Sequence, residues 1–508
     1  MRLVALLAVL ACGLTGCKRS QEPRPEQAPA PRAAPGAVLL LSADTRGYLG
    51  PCGCSENMRG GIARAAWQVE EARKGALPLL YIDGGDSLFG HATLTPSQVP
   101  QEELKAKTLA EAMKRMGVAV RAAGELDRVR GEAFLQGLGL PELPAGAVKL
   151  LPAGDRQVGV VAAQDAAQLV QASAQARKDG AAFVVALFHG TVEAAQSAVA
   201  TPGLEADLVL STHTDTEFSG EENRLVRGTV PVVGLQNKGR SLLRVDLAFG
   251  PPKGRLSLQK SQEDADREVA LLDQRMALLN KEINLPDAAP ARKQLQQGKL
   301  AELVARKQQL LTAPVAAAQG TPGFTLRFLP LEATLPDSPT VKALVTAYDR
   351  DVGTLNLAWA KEHGQDCPPP KKGEAAFVGN GACQECHAEA FPVWEKSKHH
   401  HAWQTLVDVG KQFHLNCVGC HVTGYEQPGG VCRLDKVSGR EDVGCESCHG
   451  PGSLHAEDPT PENVVAKPGR ELCVTCHNPE NSPHFDFATY LPKVLGPGHG
   501  QAAAKPSP

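Results

Sequence analysis

The stretch "VGCESCHGPGSLH", residues 443–455, contains the pattern C-x-x-C-H, which decides how the C-terminal quarter of the chain folds. The pattern occurs three more times, as "CQECH" at 383–387, "CVGCH" at 417–421 and "CVTCH" at 473–477. In such a motif two thiols add to the vinyl groups of one haem, and the adjacent histidine becomes the proximal iron ligand. Zinc is the alternative, but a zinc site does not require a histidine after every cysteine pair. The motifs therefore predict four covalent haems c.

Twelve residues make up these predicted attachment sites, three in each motif. They are Cys383, Cys386 and His387; Cys417, Cys420 and His421; Cys445, Cys448 and His449; and Cys473, Cys476 and His477. Sixth ligands must come from the other histidines nearby, namely His399, His400, His401, His414, His455, His484 and His499. Ligation by two histidines closes the iron and suits electron transfer. With so few residues per haem, the porphyrins fill much of the core, so the domain should unfold without them.

The residues between the motifs carry a family resemblance. "FVGNGACQECHAEAFPVWEKSKHHHAW", "LNCVGCHVTGY" and "CVTCHNPENSPHFDFATYLPKVLGPGHG" are similar to the cytochrome c554-type family of multihaem cytochromes, over about 374–500. The resemblance implies a mostly α-helical and irregular tetrahaem domain with redox partner proteins. It also implies His399, His401, His455 and His499 as distal ligands, although some family members keep one haem five-coordinate.

The N-terminus has the pattern of an export signal. A charged start and a short apolar run end at "LTGC", which closes on Cys17, and the run is too short to span a bilayer. "LTGC" resembles the lipobox of bacterial lipoproteins, which implies a lipoprotein signal peptide over 1–17 that is cut just before Cys17, lipidation of Cys17 and attachment to a membrane. An ordinary secreted protein cut elsewhere is the alternative. Both interpretations predict an extracytoplasmic protein, periplasmic or attached to the outer membrane of a bacterium.

Composition adds two further expectations. Residues 18–36 are rich in proline and alanine without apolar periodicity, which is typical of an extended tether. The net charge of −3 over 508 residues argues against a nucleic-acid partner.

Residues 37–255 alternate apolar runs with amphipathic stretches, the pattern of a layered α/β domain. Four of the runs lead to residues that can bind a metal: Asp44, Asp86, His189 and His213. Because sites in α/β folds collect at the carboxyl ends of strands, these four residues are expected to converge.

This stretch resembles the calcineurin-type metallophosphoesterases, in particular their periplasmic 5'-nucleotidase branch. The matching motifs are a glycine pair at 60–61, "GGDS" around Asp86, the lone His189 and "THTD", which contains His213. By this resemblance the domain has the layered α/β metallophosphoesterase fold and a metal centre.

Departures from the family pattern fall on the metal centre itself. The first motif reads "DTR", so Arg46 replaces a ligand histidine, and the third reads "GELD", with Glu125 and Leu126 in place of asparagine and histidine. The last motif ends in Asp215. Two-metal hydrolysis needs both ions to flank the displacement, so most of that activity should be lost. A carboxylate at Glu125 or Asp215 leaves room for one divalent ion.

Cys52 and Cys54, in "LGPCGCSENMRGG", lie in the loop after the Asp44 strand and cannot form a haem site, because C-x-C lacks the second spacer and the histidine. Three interpretations remain: a structural disulfide, which would be strained across one residue, a soft-metal site, and a redox-active dithiol. A C-G-C loop of this type resembles that of a nucleotidase-like branch in which selenocysteine can replace one cysteine, which favours the redox interpretation.

Residues 256–315 are predicted to form a helical hairpin, because apolar residues recur at spacings of three and four on both sides of "NLPDAAP". The hairpin packs on itself or a neighbour, or forms a dimer contact. A strand, a helix and a linker follow over 316–373. A disulfide between Cys367 and Cys432 is a further prediction.

Three classes of function remain open at this point. The first is an electron-transfer protein or redox enzyme in which Cys52 and Cys54 meet a substrate. The second is a metal-dependent hydrolase of the nucleotidase or thiosulfohydrolase type with an attached cytochrome, and the third is a non-catalytic scaffold for the cytochrome. Glu125 and Leu126 count against the second class, and the cysteine pair counts against the third.

Overall fold

A computed structural model describes residues 36–51, 58–213, 222–250, 255–259, 262–284, 290–312, 322–478, 481–482 and 485–499. Eleven strands lie within these ranges: β1 Gly36–Ser42, β2 Leu79–Asp83, β3 Val118–Arg121, β4 Val148–Ala153, β5 Arg156–Ala163, β6 Phe183–Phe188, β7 Leu208–Ser211, β8 Arg224–Val226, β9 Val232–Gly234, β10 Ser241–Ala248 and β11 Gly323–Pro330. The helices up to residue 363 are α1 Ile62–Arg73, α2 Val99–Arg115, α3 Gly131–Gly137, α4 Ala166–Lys178, α5 Val192–Val199, α6 Gln262–Ile283, α7 Pro290–Thr312 and α8 Pro339–His363.

The strands form two sheets. The first has the order β11-β10-β1-β2-β3, in which β1 is parallel to β2 and antiparallel to β10. The second has the order β4-β5-β6-β7-β9-β8, with β5, β6, β7 and β9 parallel. The central strands read as continuous apolar runs, such as "AVLLL" in β1 and "FVVALF" in β6, because both of their faces are covered.

Alternate residues of these strands enter different cores. In β1, Leu39 and Leu41 join a cluster that also contains Val185 and Leu187 of β6, so this cluster lies between the two sheets. Leu40 instead packs with α1 and α2 on the outer face of the first sheet. The second sheet covers its outer face with α4 and α5 in the same way. The predicted α/β layered domain is therefore confirmed, as a sandwich of two sheets between helices.

Two elements follow the sandwich. Helices α6 and α7 pack against each other as an antiparallel pair, with ion pairs between Arg306 and Glu268 and between Lys307 and Asp273. After β11, helix α8 begins at Pro339 behind the N-cap Ser338, whose hydroxyl accepts a hydrogen bond from Val341 N. Val341 and Val352 of α8 pack in the cluster of α1 and α2.

The region after α8 contains short helices joined by turns. They are α9 Asn380–Gln384, α10 Phe391–Glu395, α11 Ala402–Val407, α12 Leu415–His421, α13 Cys445–His449, α14 Ser453–Glu457, α15 Arg470–Cys473 and α16 Phe487–Tyr490. A disulfide joins Cys367 to Cys432, as predicted, and ties the segment after α8 to the loop after α12. The helical and irregular character predicted for this region is confirmed.

A helix that crosses a bilayer needs about 20 predominantly apolar residues. None of the helices in the described part of the chain is long and apolar enough to cross a membrane.

Candidate functional site

Three of the predicted metal-binding residues meet where the two sheets face each other. Asp86 follows β2 of the first sheet, while His189 and His213 follow β6 and β7 of the second. One ligand atom from each of the three lies within 4.8 Å of the others. His213 Nδ1 is 2.6 Å from Asp86 Oδ2, and His189 Nδ1 is 3.8 Å from the same oxygen. The hydrogen bond to Asp86 raises the pKa of His213, although burial opposes this.

The donor set fits a metal ion. Two imidazoles and one carboxylate form a set that several divalent metals accept, with coordination positions left open. Asp86 is fully buried, and His189 Nδ1 is a buried nitrogen without a hydrogen-bond partner. Gly124 leaves the space that the set needs, because a Cβ there would lie 2.1 Å from Asp86 Oδ1 and 2.9 Å from His189 Cε1.

The backbone around this cluster is strained. Asp44, Arg46 and Asp86 all have positive φ angles, of 53°, 51° and 49°. Residues other than glycine rarely adopt this conformation, and it persists only where the surroundings enforce it. Hydrogen bonds between the two loops do so here, from Asp44 N to Gly85 O and from Arg46 N to Asp86 O, both 2.9 Å.

Asp127 fixes the loop that carries Asp86 and the loop that contains Gly124, a role that no pattern in the sequence indicates. Its carboxylate is fully buried and accepts hydrogen bonds from the amides of Asp86, Ser87, Leu88 and Gly124, at 2.7 to 2.9 Å. Both loops that shape the cluster therefore depend on one side chain.

A buried arginine neutralises this carboxylate. The Arg121 side chain has no exposed surface and forms ion pairs with Asp83, Asp127 and Glu142. Burial raises the pKa of Asp83, and Arg121 opposes that rise. Because β2 carries Asp83 and β3 carries Arg121, this network links the ends of two neighbouring strands beneath the site.

Asp44 and Glu125 are placed differently from Asp86. Asp44 Oδ1 is 2.7 Å from Arg46 Nε, so a guanidinium cation lies against the carboxylate that the family resemblance gave to a metal. Glu125 is exposed and lies outside the three-residue cluster, whereas the amide of Leu126 donates to Asp86 Oδ1 at 2.9 Å. Cys52, Cys54, Asp215 and Cys17 lie outside the described residues.

Each C-x-x-C-H motif overlaps a short helix, one of α9, α12, α13 and α15. The four motifs lie close to one another. A hydrogen bond between the Cys383 and Cys445 thiols raises the pKa of Cys383, and one between Cys420 and Cys476 lowers the pKa of Cys476 to about 6. The first motif is thus a neighbour of the third, and the second a neighbour of the fourth. Cys473 and Cys476 also raise the pKa of Cys448, so the third motif is a neighbour of the fourth.

Two proximal histidines face predicted distal ones. The rings of His387 and His455 have centroids 6.0 Å apart, at an interplanar angle of 18°, and those of His399 and His477 have centroids 6.1 Å apart. Two metal–imidazole bonds of about 2 Å each need separations of this size. These pairs fit the ligation of a haem iron from both sides.

The remaining distal candidates are less directly placed. Burial lowers the pKa of His499, and His449 and His387 act in the same direction, so His499 lies near the first and third motifs. Its Nδ1 is buried without a hydrogen-bond partner. His401 is exposed, with its ring 5.1 Å from that of His400.

Three histidines of this region have a backbone carbonyl oxygen within hydrogen-bond distance of the ring nitrogen Nδ1. The carbonyl oxygens of Ala402, Val465 and Thr460 lie 2.5, 2.8 and 2.9 Å from the Nδ1 atoms of His421, His449 and His455, respectively. Because a carbonyl only accepts, Nδ1 carries the proton and Nε2 is left with a lone pair. Hydrogen bonds of this kind orient metal-binding histidines.

Comparison with known proteins agrees with this geometry in the C-terminal region. Residues 382–450 match the family described as cytochrome c554 and c-prime, and residues 438–482 match the doubled CXXCH motif. Cytochrome c-554 of Nitrosomonas europaea is 32% identical over 144 residues, which cover 22% of this chain and 61% of that protein. The chain therefore spans less than two thirds of the cytochrome that it matches.

Solved structures are similar over a longer part of the chain. A sulfate thiohydrolase SoxB from Thermus thermophilus, solved with glycerol, has a TM-score of 0.40 at 16% identity, covering 67% of this chain and 63% of that one. A 5'-nucleotidase precursor from the same species has a TM-score of 0.40 at 12% identity, covering 74% of this chain and 68% of that one. The family matches identify the C-terminal region as a c-type cytochrome with covalently bound haem, and this region follows the layered α/β domain.

Proposed function

We propose that this chain is an extracytoplasmic electron-transfer protein with four haems c, one at each C-x-x-C-H motif. The observation that carries the proposal is the pairing of His387 with His455 and of His477 with His399, at the separation that two-sided ligation requires. Haem bound in this way changes oxidation state without binding a substrate at its iron. His499 is proposed as the distal ligand of a third haem, and His401 remains a candidate.

Counting haems in the purified protein tests this proposal. The intact mass and the absorbance of the pyridine haemochrome should give four haems per chain, and changing both cysteines of one motif to serine should remove one. The matched control is Cys367→Ser with Cys432→Ser, because these two cysteines form the disulfide and its loss should leave the count at four. A count below four in the unaltered protein would contradict the proposal.

For the α/β domain we propose a centre for one divalent ion, held by Asp86, His189 and His213. Support comes from the 4.8 Å cluster and from Arg46, whose guanidinium pairs with Asp44. When bound, the ion would supply Lewis-acid chemistry. Asp86 would orient His213, and the amide of Leu126 would orient Asp86. Two-metal hydrolysis needs two ions and this proposed centre holds one, so such hydrolysis is the weaker candidate function.

We propose that Cys52 and Cys54 of this domain react with a substrate, and that the haems carry electrons to or from them. The test is to reduce the haems and follow their reoxidation by sulfur, selenium and nitrogen oxyanions, in the unaltered protein and in Cys52→Ser/Cys54→Ser. Slower reoxidation by one class of oxyanion is expected in the variant. Equal rates with every oxyanion would remove the dithiol from the proposal.

Attachment to a membrane through lipid on Cys17 and exchange of electrons with a redox partner protein complete the proposal. They are supported by the "LTGC" sequence and by the cytochrome match. The intact mass of the mature protein tests the anchor, since lipidation adds acyl chains to the new N-terminal Cys17.

A further inference from the structure

Helix α8 belongs to both halves of the molecule. Its first turn and its middle contribute Val341 and Val352 to the core of the α/β domain. Its C-terminal half contributes Ala360, which packs with Val418 and Val422 of the cytochrome region. Val418 lies inside the second haem motif and is fully buried. Helix α8 thus runs from the core of the α/β domain into a second apolar cluster, which contains a residue of the second motif.

A buried polar contact holds the same motif. Gln101, near the start of α2, is 1% exposed, and its Oε1 accepts hydrogen bonds from Leu415 N at 3.0 Å and from Asn356 Nδ2 at 2.8 Å. Asn356 Nδ2 also donates to Phe413 O at 2.8 Å. Leu415 is the first residue of α12, the helix that contains Cys417, Cys420 and His421. The end of that helix is therefore capped by the α/β domain.

Charged groups accompany this contact. Glu102 and Lys105, one turn apart on α2, form an ion pair of 2.6 Å, and both are buried, with 3% and 8% exposure. Tyr348 of α8 lies among them. Its ring centroid is 5.9 Å from that of His414, which precedes the attachment helix, so Tyr348 lies beside that helix. Burial raises the pKa of Tyr348, and the charge of Glu102 adds to the rise.

These contacts continue towards the candidate metal centre. A Cβ on Gly47 would lie 3.3 Å from Lys105 Cε and 3.2 Å from Leu88 O. Gly47 N donates to Ser87 O, in the loop that carries Asp86. Lys105 thus packs against the loops of the α/β site. It also forms an ion pair with Glu102, which lies near the second haem motif.

We propose that the α/β domain forms one wall of the second haem site, where the haem is bound by Cys417, Cys420 and His421. Gln101 and Asn356 position the attachment helix. The Glu102–Lys105 pair sets the reduction potential of this haem. This rests on the proposed function, because it requires a haem at that motif. Gln101, Asn356, Glu102 and Lys105 are positioning residues that act through the helix and through charge. The other three motifs have no such contact with α2 among the described residues.

The test is a redox titration of the four-haem protein, followed by visible and electron paramagnetic resonance spectra. The second haem is identified beforehand as the signal that disappears in Cys417→Ser/Cys420→Ser. Oxidised haem carries one more positive charge than reduced haem, so a nearby negative charge lowers its potential. Glu102→Gln should raise the potential of the second haem and Lys105→Met should lower it. Each change should be on the order of tenfold in the reduction equilibrium, or about 59 mV for one electron.

Matched controls lie on the same helix. Glu111 and Arg115 form an exposed ion pair about 14 Å farther along α2, and Glu111→Gln and Arg115→Met should leave all four potentials unchanged. The double variant Glu102→Gln/Lys105→Met should return the second potential towards that of the unaltered protein. It also replaces the buried pair without leaving one charge alone, so it provides a folded variant if Lys105→Met does not fold.

The outcomes separate this inference from the proposed function. Four haems with unchanged potentials in both single variants, or an equal shift in all four, would overturn the inference and leave the haem count standing. A missing haem at the second motif would overturn both. A haem missing from another motif would overturn the count of four alone.

Discussion

The two halves of this molecule build their sites in opposite ways. In the α/β domain, Asp86, His189 and His213 come from three strand ends spread over more than 100 residues, and a complete core holds them together. In the cytochrome region each haem-attachment motif spans only five consecutive residues. The core that the side chains form there is small, with six buried residues in the described cluster. In the α/β domain the folded core brings the site residues together. In the cytochrome region we expect the bound haems to stabilise the fold.

The largest expected effect follows from that contrast. Producing the chain in cells without the machinery for haem attachment should unfold the region after residue 376 and leave the α/β domain folded, because the haems replace the missing apolar core. Limited proteolysis with mass spectrometry should then yield a stable fragment ending near α8. Resistance of the haem-free C-terminal region to the protease would show that the side chains suffice.

Removing the buried cation of the α/β domain comes next. Arg121→Met leaves Asp83, Asp127 and Glu142 without their partner, which should lower the free energy of unfolding by about 3–5 kcal/mol. Urea unfolding followed by circular dichroism measures this change. Lys74→Met is the control, since its ion pair with Glu71 is exposed and should be worth about 0–1 kcal/mol. Equal losses in the two variants would contradict the role given to Arg121.

Metal binding should have an intermediate effect. With Mn²⁺ or Zn²⁺ at 100 times its dissociation constant, the α/β domain should gain about 2.7 kcal/mol of stability, and elemental analysis should find one ion per chain. His213→Ala should remove both the ion and the gain, whereas His91→Ala, an exposed histidine of the same domain, should keep them. Two ions per chain would show that Arg46 does not exclude the second.

The smallest expected effect concerns a helix end. Asp165 caps α4 by accepting a hydrogen bond from Gln168 N at 2.8 Å, so Asp165→Ala should cost the α/β domain about 1 kcal/mol. Asp165→Ser keeps a capping oxygen and should retain most of that stability. The haem potentials should be the same in both variants, and a change in them would mean that the halves are coupled more widely than α2 and α8 suggest.

Local patterns made part of this structure predictable. The C-x-x-C-H motifs indicate haem attachment directly, and the apolar runs that lead to Asp86, His189 and His213 mark strand ends. The second sheet brings the two histidines together because β6 and β7 are parallel neighbours, and the packing of the two sheets adds Asp86. Asp44 was expected in the same set, but its neighbour Arg46 pairs with it. The identity of residue 46 was visible in the sequence, whereas the direction of its side chain was not.

Long-range polar contacts could not be predicted. Gln101 and Leu415 are 314 residues apart, and nothing in "VPQEELKAK" distinguishes Gln101 from a surface glutamine on an amphipathic helix. Asp127 was similarly hidden, because a buried aspartate that accepts four amides has the same one-letter code as an exposed one. Such residues are recognised only when the backbone groups that they satisfy are in place.

The position of α8 also has a consequence for the order of biosynthesis. An exported chain emerges from the membrane N-terminus first, and domains tend to fold in the order in which they emerge. Gln101 and Asn356, which receive the second attachment helix, precede all four haem motifs in the chain. The α/β domain can therefore act as a template within the same polypeptide, on which the second haem-bearing segment is held while the rest of the cytochrome is still being assembled.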